Sequence, residues 1–148
     1  MQDLSVRTLA DFEALRRHKA TYGRLVDGFG EAVTSDAVAS FRDLFTGDLV
    51  ARFNNLGDFD GLDAFIEAMT VTVPSRRQWM WHSFHSPDCS IDGDRAHVAW
   101  TLYALVKADR NDPRPDAVVG RYFDDYVRTP QGWKQSRIRF IAEAIYPA

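Results

Sequence analysis

Four long runs of strand-forming residues fill the second half of the chain, after Pro74. Residues 78–91 and 95–108 flank the sequence IDGD, and Asp-Gly between two such runs is a strong signature of a β-hairpin. The runs AVVGRYFDDYVR and WKQSRIRFIAEAIY follow, joined by TPQG. Because successive strands with short connections usually lie side by side, we expect an antiparallel meander of four strands.

Helical spacing dominates the first third of the chain. The apolar residues that recur at steps of three, four and seven are Phe12, Leu15, Tyr22, Val26, Phe29 and Val33. This spacing predicts one long helix, or two in series if Gly28 and Gly30 interrupt it.

Two more helices are expected before the strands. Ser35 or Asp36 is expected to cap a helix that runs to about Phe45, and Asp60 or Gly61 to begin another. Between these helices the sequence predicts a short strand, LVARF, and a loop, NNLGDFDG.

Helices followed by strands indicate the α+β class. With 148 residues, of which 45 % are hydrophobic, residues 1–148 are expected to form one domain. We expect a strongly curved antiparallel sheet, wrapped by the N-terminal helices into a cone. The aromatic interior of such a cone provides a pocket for an apolar ligand.

The net charge, the apolar runs and the cysteine content limit the partners and the cellular compartment that suit this chain. The net charge of −3 argues against nucleic acid as a partner, and the doublet Arg76-Arg77 is interpreted as a solvated loop. No stretch approaches the ~18 apolar residues of a membrane helix. The first residues, with Asp3 and no apolar core run, are unlike a signal peptide. The single cysteine, Cys89, suits a structural role in a reducing compartment, so we expect a cytoplasmic protein.

Two histidines lie in the apolar stretch WMWHSFHSPD. Strand alternation places His82 with Met80 and Phe84 on one face and His85 on the other. This separation argues against a metal site. An inward His82 is a candidate for general acid–base catalysis, because an imidazole exchanges protons near neutral pH. The alternative is a buried neutral histidine bonded to a backbone carbonyl. His18 and His97 are interpreted as solvated or interface residues.

Tyr22 and Asp27, in TYGRLVDG, are the other candidates for catalysis. Each has a structural interpretation, Tyr22 as a core residue and Asp27 as a turn or cap. Around one cavity with His82 they would form a catalytic set. The carboxylate would orient the imidazole, the imidazole would move the proton, and the phenol would bind a developing oxyanion. Asp27 as the base itself is a further alternative.

Three segments, FEALRRHKATYGRLVDG, WHSFHSPDCSIDGDRAHVAWTLYAL and GRYFDDYVRTPQGWK, resemble the SnoaL-like branch of the nuclear-transport-factor-2-like superfamily. The pattern is that of its scytalone dehydratase and bile-acid dehydratase relatives. The resemblance implies a cystatin-like α+β cone, a homodimer or homotrimer, and binding of hydrophobic ring compounds without a cofactor or a metal. Carried over by position, it implies Tyr22, Asp27 and His82 as catalytic residues.

The chain departs from this pattern at several positions. Ala104 and Ala142 stand where the bile-acid dehydratase pattern has an Asp and an Arg, and Phe53 stands where scytalone dehydratases have a tyrosine. An alignment without a gap before the short strand would instead put Phe29 and Thr34 at the Tyr and Asp positions. The resulting pocket is more apolar than that of the dehydratases.

These residues predict a pocket for a hydrophobic ring compound of polyketide, terpene or steroid type. Its expected wall consists of Trp100, Met80, Phe84, Phe53, Leu102, Tyr122 and Phe140. The favoured function is a cofactor-free lyase, isomerase or cyclase that acts by proton transfer. The alternative is a non-catalytic binding protein for an aromatic ligand. Trp79, Trp81 and Tyr103 are expected to pair subunits through the convex face of the sheet.

Overall fold

The computed structural model describes residues 5–148 as helices on one side of a six-stranded sheet. The helical elements are α1 (Val6–Phe29), α2 (Ser35–Arg42), α3 (Leu62–Glu67), a π-helical turn (Ala68–Thr72) and α4 (Val73–Arg76). The strands are β1 (Phe45–Phe53), β2 (Gly57–Asp60), β3 (Trp79–Asp92), β4 (Arg95–Lys107), β5 (Asp116–Thr129) and β6 (Gly132–Tyr146). Asp3, used above against a signal peptide, lies outside the described residues.

The sheet has the strand order β2-β1-β6-β5-β4-β3. Strands β3 to β6 form the expected antiparallel meander, so this prediction and the α+β class are confirmed. The sheet as a whole is mixed, because β1 runs parallel to β6 and places Ala51 opposite Ile138. Register shifts occur in the pairing of β3 with β4, between His85 and Asp88, and in the pairing of β5 with β6, beside Gly120. Such bulges bend a strand and increase its twist.

The segment predicted as a loop after β1 is wrong in one respect, since it contains strand β2. Arg52 on β1 lies opposite Asp58, and its Nη2 donates to Asp60 Oδ1 at 2.6 Å. These charged pairs favour a hairpin that the polar, glycine-rich sequence conceals. Gly57 and Gly61, at φ values of 131° and 91°, adopt the backbone conformations that begin and end the strand.

The helix boundaries differ from the prediction by a few residues. Helix α1 is continuous through Gly28 and ends at Phe29, which leaves Val33 outside it and exposed. Thr34 caps α2, since its hydroxyl accepts the Ala37 N–H at 3.2 Å. Helix α2 stops at Arg42 because Phe45 already belongs to β1.

His18 is a correction to the sequence interpretation. It is buried rather than solvated, and its Nε2 donates to the Leu44 carbonyl at 2.8 Å. Burial lowers the pKa of His18 to about 4, so the ring is neutral at physiological pH and ties α1 to the start of β1. His97 is half exposed, as expected, and its Nδ1 lies 2.7 Å from Asp125 Oδ1.

The thiol of Cys89 is partly buried. Burial raises the pKa of Cys89 to about 11, which keeps its thiol protonated at neutral pH.

Among residues 5–148, no helix combines the length and apolar character needed to span a membrane.

Helix α1 packs most closely against β3 at Gly23. A Cβ atom at this position would lie 2.9 Å from a ring carbon of Phe84 and 4.0 Å from the Cβ atom of His82. The Phe84 ring has little room to retreat, because Tyr22 and Tyr122 pack edge-on against it. Glycine at position 23 therefore sets the distance between the helix and the strand.

We predict that Gly23→Ala lowers the free energy of unfolding by about 1–3 kcal/mol, because the added methyl overpacks the contact with Phe84. Gly28→Ala is the matched control on the same helix, since a Cβ atom there meets nothing within 4 Å. It is expected to raise stability by about 0.5–1 kcal/mol. Urea unfolding followed by circular dichroism measures both. Equal effects of the two substitutions would contradict the close-packing interpretation.

Candidate active site

Asp27 and His82 form a hydrogen-bonded dyad between α1 and β3. Asp27 Oδ1 lies 2.6 Å from His82 Nδ1, and Asp27 Oδ2 accepts the backbone N–H of His82 at 3.1 Å. The side chains are 24 % and 12 % exposed, respectively, so the pair is shielded but reachable. One carboxylate thus holds both the ring and the backbone of the same residue.

This double contact determines which ring nitrogen can act as a base. Since Asp27 presents acceptor oxygens, the neutral imidazole carries its proton on Nδ1 and donates it to Oδ1. Nε2 then holds the free lone pair, and no hydrogen bond to it is formed within residues 5–148. The Phe84 ring stacks beside the imidazole, with centroids 6.0 Å apart and planes inclined by 15°. The arrangement is that of a general base with an orienting carboxylate.

His82 lines a cavity of about 180 Å³ between the sheet and the helices. Apolar side chains make up most of its wall: Val26, Phe53, Leu56, Met69, Val73, Met80, Leu102, Ala104, Val106, Val118, Phe140 and Ile145. The polar residues that line it besides His82 are Asn55, Arg76, Arg77, Asp116 and Tyr122. This composition suits a small, largely apolar molecule placed against one imidazole.

The cavity contains five of the seven side chains expected in its wall, namely Met80, Phe53, Leu102, Tyr122 and Phe140. Phe84 and Trp100 instead line a groove between α1 and β3, where Asp27 and the opposite side of His82 are also found. Because strand parity fixes only the face of the sheet, it does not distinguish the cavity from this groove.

Tyr22 lies apart from the cavity. It is fully buried, with its ring 5.5 Å from that of Phe41 and 6.1 Å from that of Tyr122. Its hydroxyl accepts or donates no hydrogen bond within the described chain. Burial, with a smaller contribution from Tyr122, raises the pKa of Tyr22 well above its ordinary value. Tyr122 is the phenol that faces the cavity, as strand alternation allowed.

Other positions considered in the sequence have defined places as well. His85 is exposed on the opposite face of β3 from His82. Ala104 lines the cavity, whereas Ala142 is half-buried outside its wall. Phe29 packs edge-on against Phe41 in the core, and Thr34 caps α2. Asp27, rather than Thr34, is therefore the acidic or hydroxyl side chain beside His82.

A buried ion pair lies next to the aromatic residues of the site, and the sequence interpretation missed it. Lys19 Nζ lies 2.8 Å from Asp124 Oδ2, and both side chains are fully buried. The ammonium also sits 3.7 Å from the ring centroid of Tyr122 and 4.7 Å from that of Phe84. Burial lowers the pKa of Lys19 and raises that of Asp124, while their contact opposes both shifts.

The signal for this pair is present in the sequence. Lys19 lies three residues before Tyr22 and four after Leu15, on the same helical stripe. Asp124 shares the buried parity of Tyr122 and Tyr126 on β5, and it accepts the Tyr126 hydroxyl at 3.2 Å. Two opposite charges at buried positions of separate elements indicate a pair.

Residues 5–148 contain no cluster of three or more His, Cys, Asp or Glu side chains that would hold an ion.

Comparison with known proteins now identifies the fold. The model of the SnoaL-like domain matches residues 7–139, which is most of the chain. The chain belongs to the SnoaL-like family. No curated protein matches it in sequence.

Several solved structures share the SnoaL-like fold of this chain. A candidate scytalone dehydratase from Novosphingobium aromaticivorans has a TM-score of 0.81 at 17 % identity, over 95 % of this chain and 89 % of its own. A candidate aromatic ring hydroxylase from the same species has a TM-score of 0.78 at 23 % identity, over 95 % and 94 %. A hexachlorocyclohexane dehydrochlorinase of Novosphingobium barchaimii has a TM-score of 0.79 at 14 % identity, over 95 % and 92 %.

These similarities confirm the resemblance drawn from the sequence. A nuclear-transport-factor-2-like protein of Salmonella enterica has the same fold, with a TM-score of 0.79 at 13 % identity over 93 % of this chain and 94 % of its own. At such identities the comparison establishes the fold, and the chemistry has to be argued from the site itself.

We predict that Lys19→Met destabilises the protein by about 3–5 kcal/mol, because it leaves the Asp124 carboxylate buried without its partner. The double variant Lys19→Met/Asp124→Asn removes both charges and keeps an acceptor for Tyr126. It should therefore recover part of the loss. Urea unfolding of the two variants measures the difference. A double variant less stable than Lys19→Met would show that the charges do not act as a pair.

Proposed function

We propose that this SnoaL-like protein is a cofactor-free lyase, isomerase or cyclase that moves a proton on a hydrophobic ring compound. The observation that carries the proposal is the dyad, in which Asp27 Oδ1 lies 2.6 Å from His82 Nδ1 while His82 also lines an apolar cavity. Solved structures of the same fold include a candidate scytalone dehydratase and a dehydrochlorinase, which are elimination enzymes by name.

The chemistry follows from the geometry of the dyad. His82 Nε2 accepts a proton from a carbon of the bound molecule, and the positive charge that develops on the ring is stabilised by the Asp27 carboxylate. The imidazolium then returns the proton to another carbon, which is an isomerisation, or to a departing hydroxyl, which is a dehydration. The Tyr122 phenol, on the cavity wall, is the hydroxyl that we assign to bind an oxyanion; the buried Tyr22 supports its ring.

A second candidate function is the storage or sensing of an aromatic ligand without turnover. It is favoured by Ala104, which replaces a polar residue of the dehydratase pattern and lies in the cavity wall. The two functions differ in one measurable respect. Substitution of His82 removes turnover from an enzyme, but it leaves the affinity of a binding protein nearly unchanged.

The partners of the protein belong to the same proposal. Trp81 and Tyr103 are 46 % and 41 % exposed and are diagonal neighbours on adjacent strands, since Ser83 pairs with Tyr103 and Trp81 with Leu105. We propose that this face, with Trp79, joins two or three copies of the chain. The lone Cys89 suits a cytoplasmic location, and we propose no nucleic-acid or membrane partner.

We predict that the protein accelerates the elimination of 5-nitrobenzisoxazole and that His82→Gln lowers kcat/KM by about 100-fold or more. In this reaction the base takes the C–H proton of the isoxazole ring, the electrons of that bond form the nitrile, and the N–O bond breaks to release a phenolate. The phenolate absorbance gives the rate. Asp27→Asn should reduce the rate less, because the imidazole remains but loses the partner that orients it.

His85→Gln is the matched control, because it removes a histidine of the same strand from the opposite, exposed face. It should leave the rate at the wild-type value. A wild-type rate no higher than that of His82→Gln, together with unchanged affinity for a ring compound in both proteins, would support the binding function instead.

The two tyrosines give a separate prediction. Tyr122→Phe removes the phenol on the cavity wall and should lower kcat by about 10-fold for a substrate that develops an oxyanion, with little change in KM. Tyr22→Phe removes a buried hydroxyl without a hydrogen-bond partner and should leave kcat and stability nearly unchanged. Steady-state kinetics of both variants measure this. A larger loss of kcat in Tyr22→Phe would reverse the assignment.

A further inference from the structure

Two arginines line the largely apolar cavity. Arg76, the last residue of α4, and Arg77, the residue after it, both line the cavity that contains His82. The sequence interpretation treated the doublet as a solvated loop. We propose that Arg76 and Arg77 bind a carboxylate of the ligand, so that the substrate is a ring compound with one acidic group. This deepens the proposed function and rests on it for the position of the ring.

The helical segment that lines the cavity changes from apolar to cationic along its length. Met69, Val73 and Arg76 are spaced by four and three residues along the π-helical turn and α4, and all three line the cavity. One face of this helical segment therefore begins apolar and ends cationic. A π-helical turn at this place is consistent with a functional role, because such turns occur often at binding sites.

The backbone that carries Arg77 is held in place by the end of α1. A Cβ atom at Gly30 would lie 3.3 Å from the Arg77 carbonyl oxygen and 3.4 Å from that of Asp27. Glycine thus lets the chain that carries the arginines approach the turn that follows the catalytic Asp27. The segment that carries the arginines therefore approaches the end of α1, the helix that also carries Asp27.

Neither guanidinium has a carboxylate partner in residues 5–148. The one side-chain hydrogen bond of the pair is from Arg77 Nη1 to the Arg76 carbonyl, at 3.1 Å. The carboxylate that lines the same cavity, Asp116, accepts the backbone N–H of Ala148 at 2.8 Å and forms no ion pair with either arginine. The side chains that line the cavity beside the arginines thus leave the two guanidinium groups available to an anionic ligand.

The guanidinium fork suits the assigned ligand. It donates two parallel hydrogen bonds to a carboxylate, and such charge-assisted bonds are about twice as strong as neutral ones. His82 follows Arg77 by five residues, so at ~3.3 Å per residue of strand their Cα atoms are at most about 16 Å apart. A bicyclic ring with a carboxylate at one end fits between the cations and the imidazole.

The test compares 2-naphthoate with its neutral isostere, 2-naphthamide, by isothermal titration calorimetry at neutral pH. We expect the naphthoate to bind about 10-fold more tightly, and the double variant Arg76→Gln/Arg77→Gln to lose this preference. The amide should bind both proteins equally, which shows that the cavity of the variant is intact. Arg121→Gln/Arg139→Gln is the matched control, since both arginines are exposed and lie outside the cavity wall.

The inference is overturned if the wild-type protein binds the amide as tightly as the naphthoate, or binds neither. It is also overturned if the control variant loses the preference to the same extent. 2-Naphthyl phosphate tests the charge of the ligand, and binding tighter than that of the naphthoate would contradict the carboxylate. None of these measurements requires turnover, so they are independent of the elimination assay that tests proton transfer.

Discussion

The contact between α1 and β3 is the constraint on which the candidate site depends. At Gly23 the absence of a side chain lets the helix settle against Phe84, and one turn further on Asp27 reaches both the ring and the backbone of His82. A helix held even one methyl further out would separate the carboxylate from the imidazole. The packing of α1 on β3 and the geometry of the Asp27–His82 pair are therefore set by the same close approach of the two elements.

A buried ion pair, Lys19 with Asp124, explains how the largely apolar core accommodates charged side chains next to the candidate site. Lys19 and Asp124 are both fully buried, and their pairing keeps either charge from standing alone. The Lys19 ammonium lies over the ring of Tyr122, a residue of the cavity wall. The pair thus fixes the orientation of a candidate catalytic phenol, and it does so without contacting the cavity itself.

Local pattern was sufficient for most of the elements, though not for β2, and it was insufficient for the contacts between them. Alternation and the IDGD turn predicted the meander, and the step from helices to strands predicted the class. The parallel pairing of Ala51 with Ile138 was not predictable, because it joins segments far apart in the sequence. Parity placed His82 inward, yet it could not separate cavity residues such as Met80 from groove residues such as Trp100, since both lie on one face of the sheet.

The pairing of β1 with β6 also has a consequence for how the chain folds during its synthesis. The hydrogen bonds between β1 and β6, and the bond from Lys19 to Asp124 across 105 residues, need partners that are synthesised much later than β1 and Lys19 themselves. The β1–β6 pairing and the Lys19–Asp124 ion pair therefore form only after β5 and β6 have been synthesised. A delay of this kind slows folding and exposes a nascent chain to chaperones, because distant contacts form only after their loop-closure entropy is overcome.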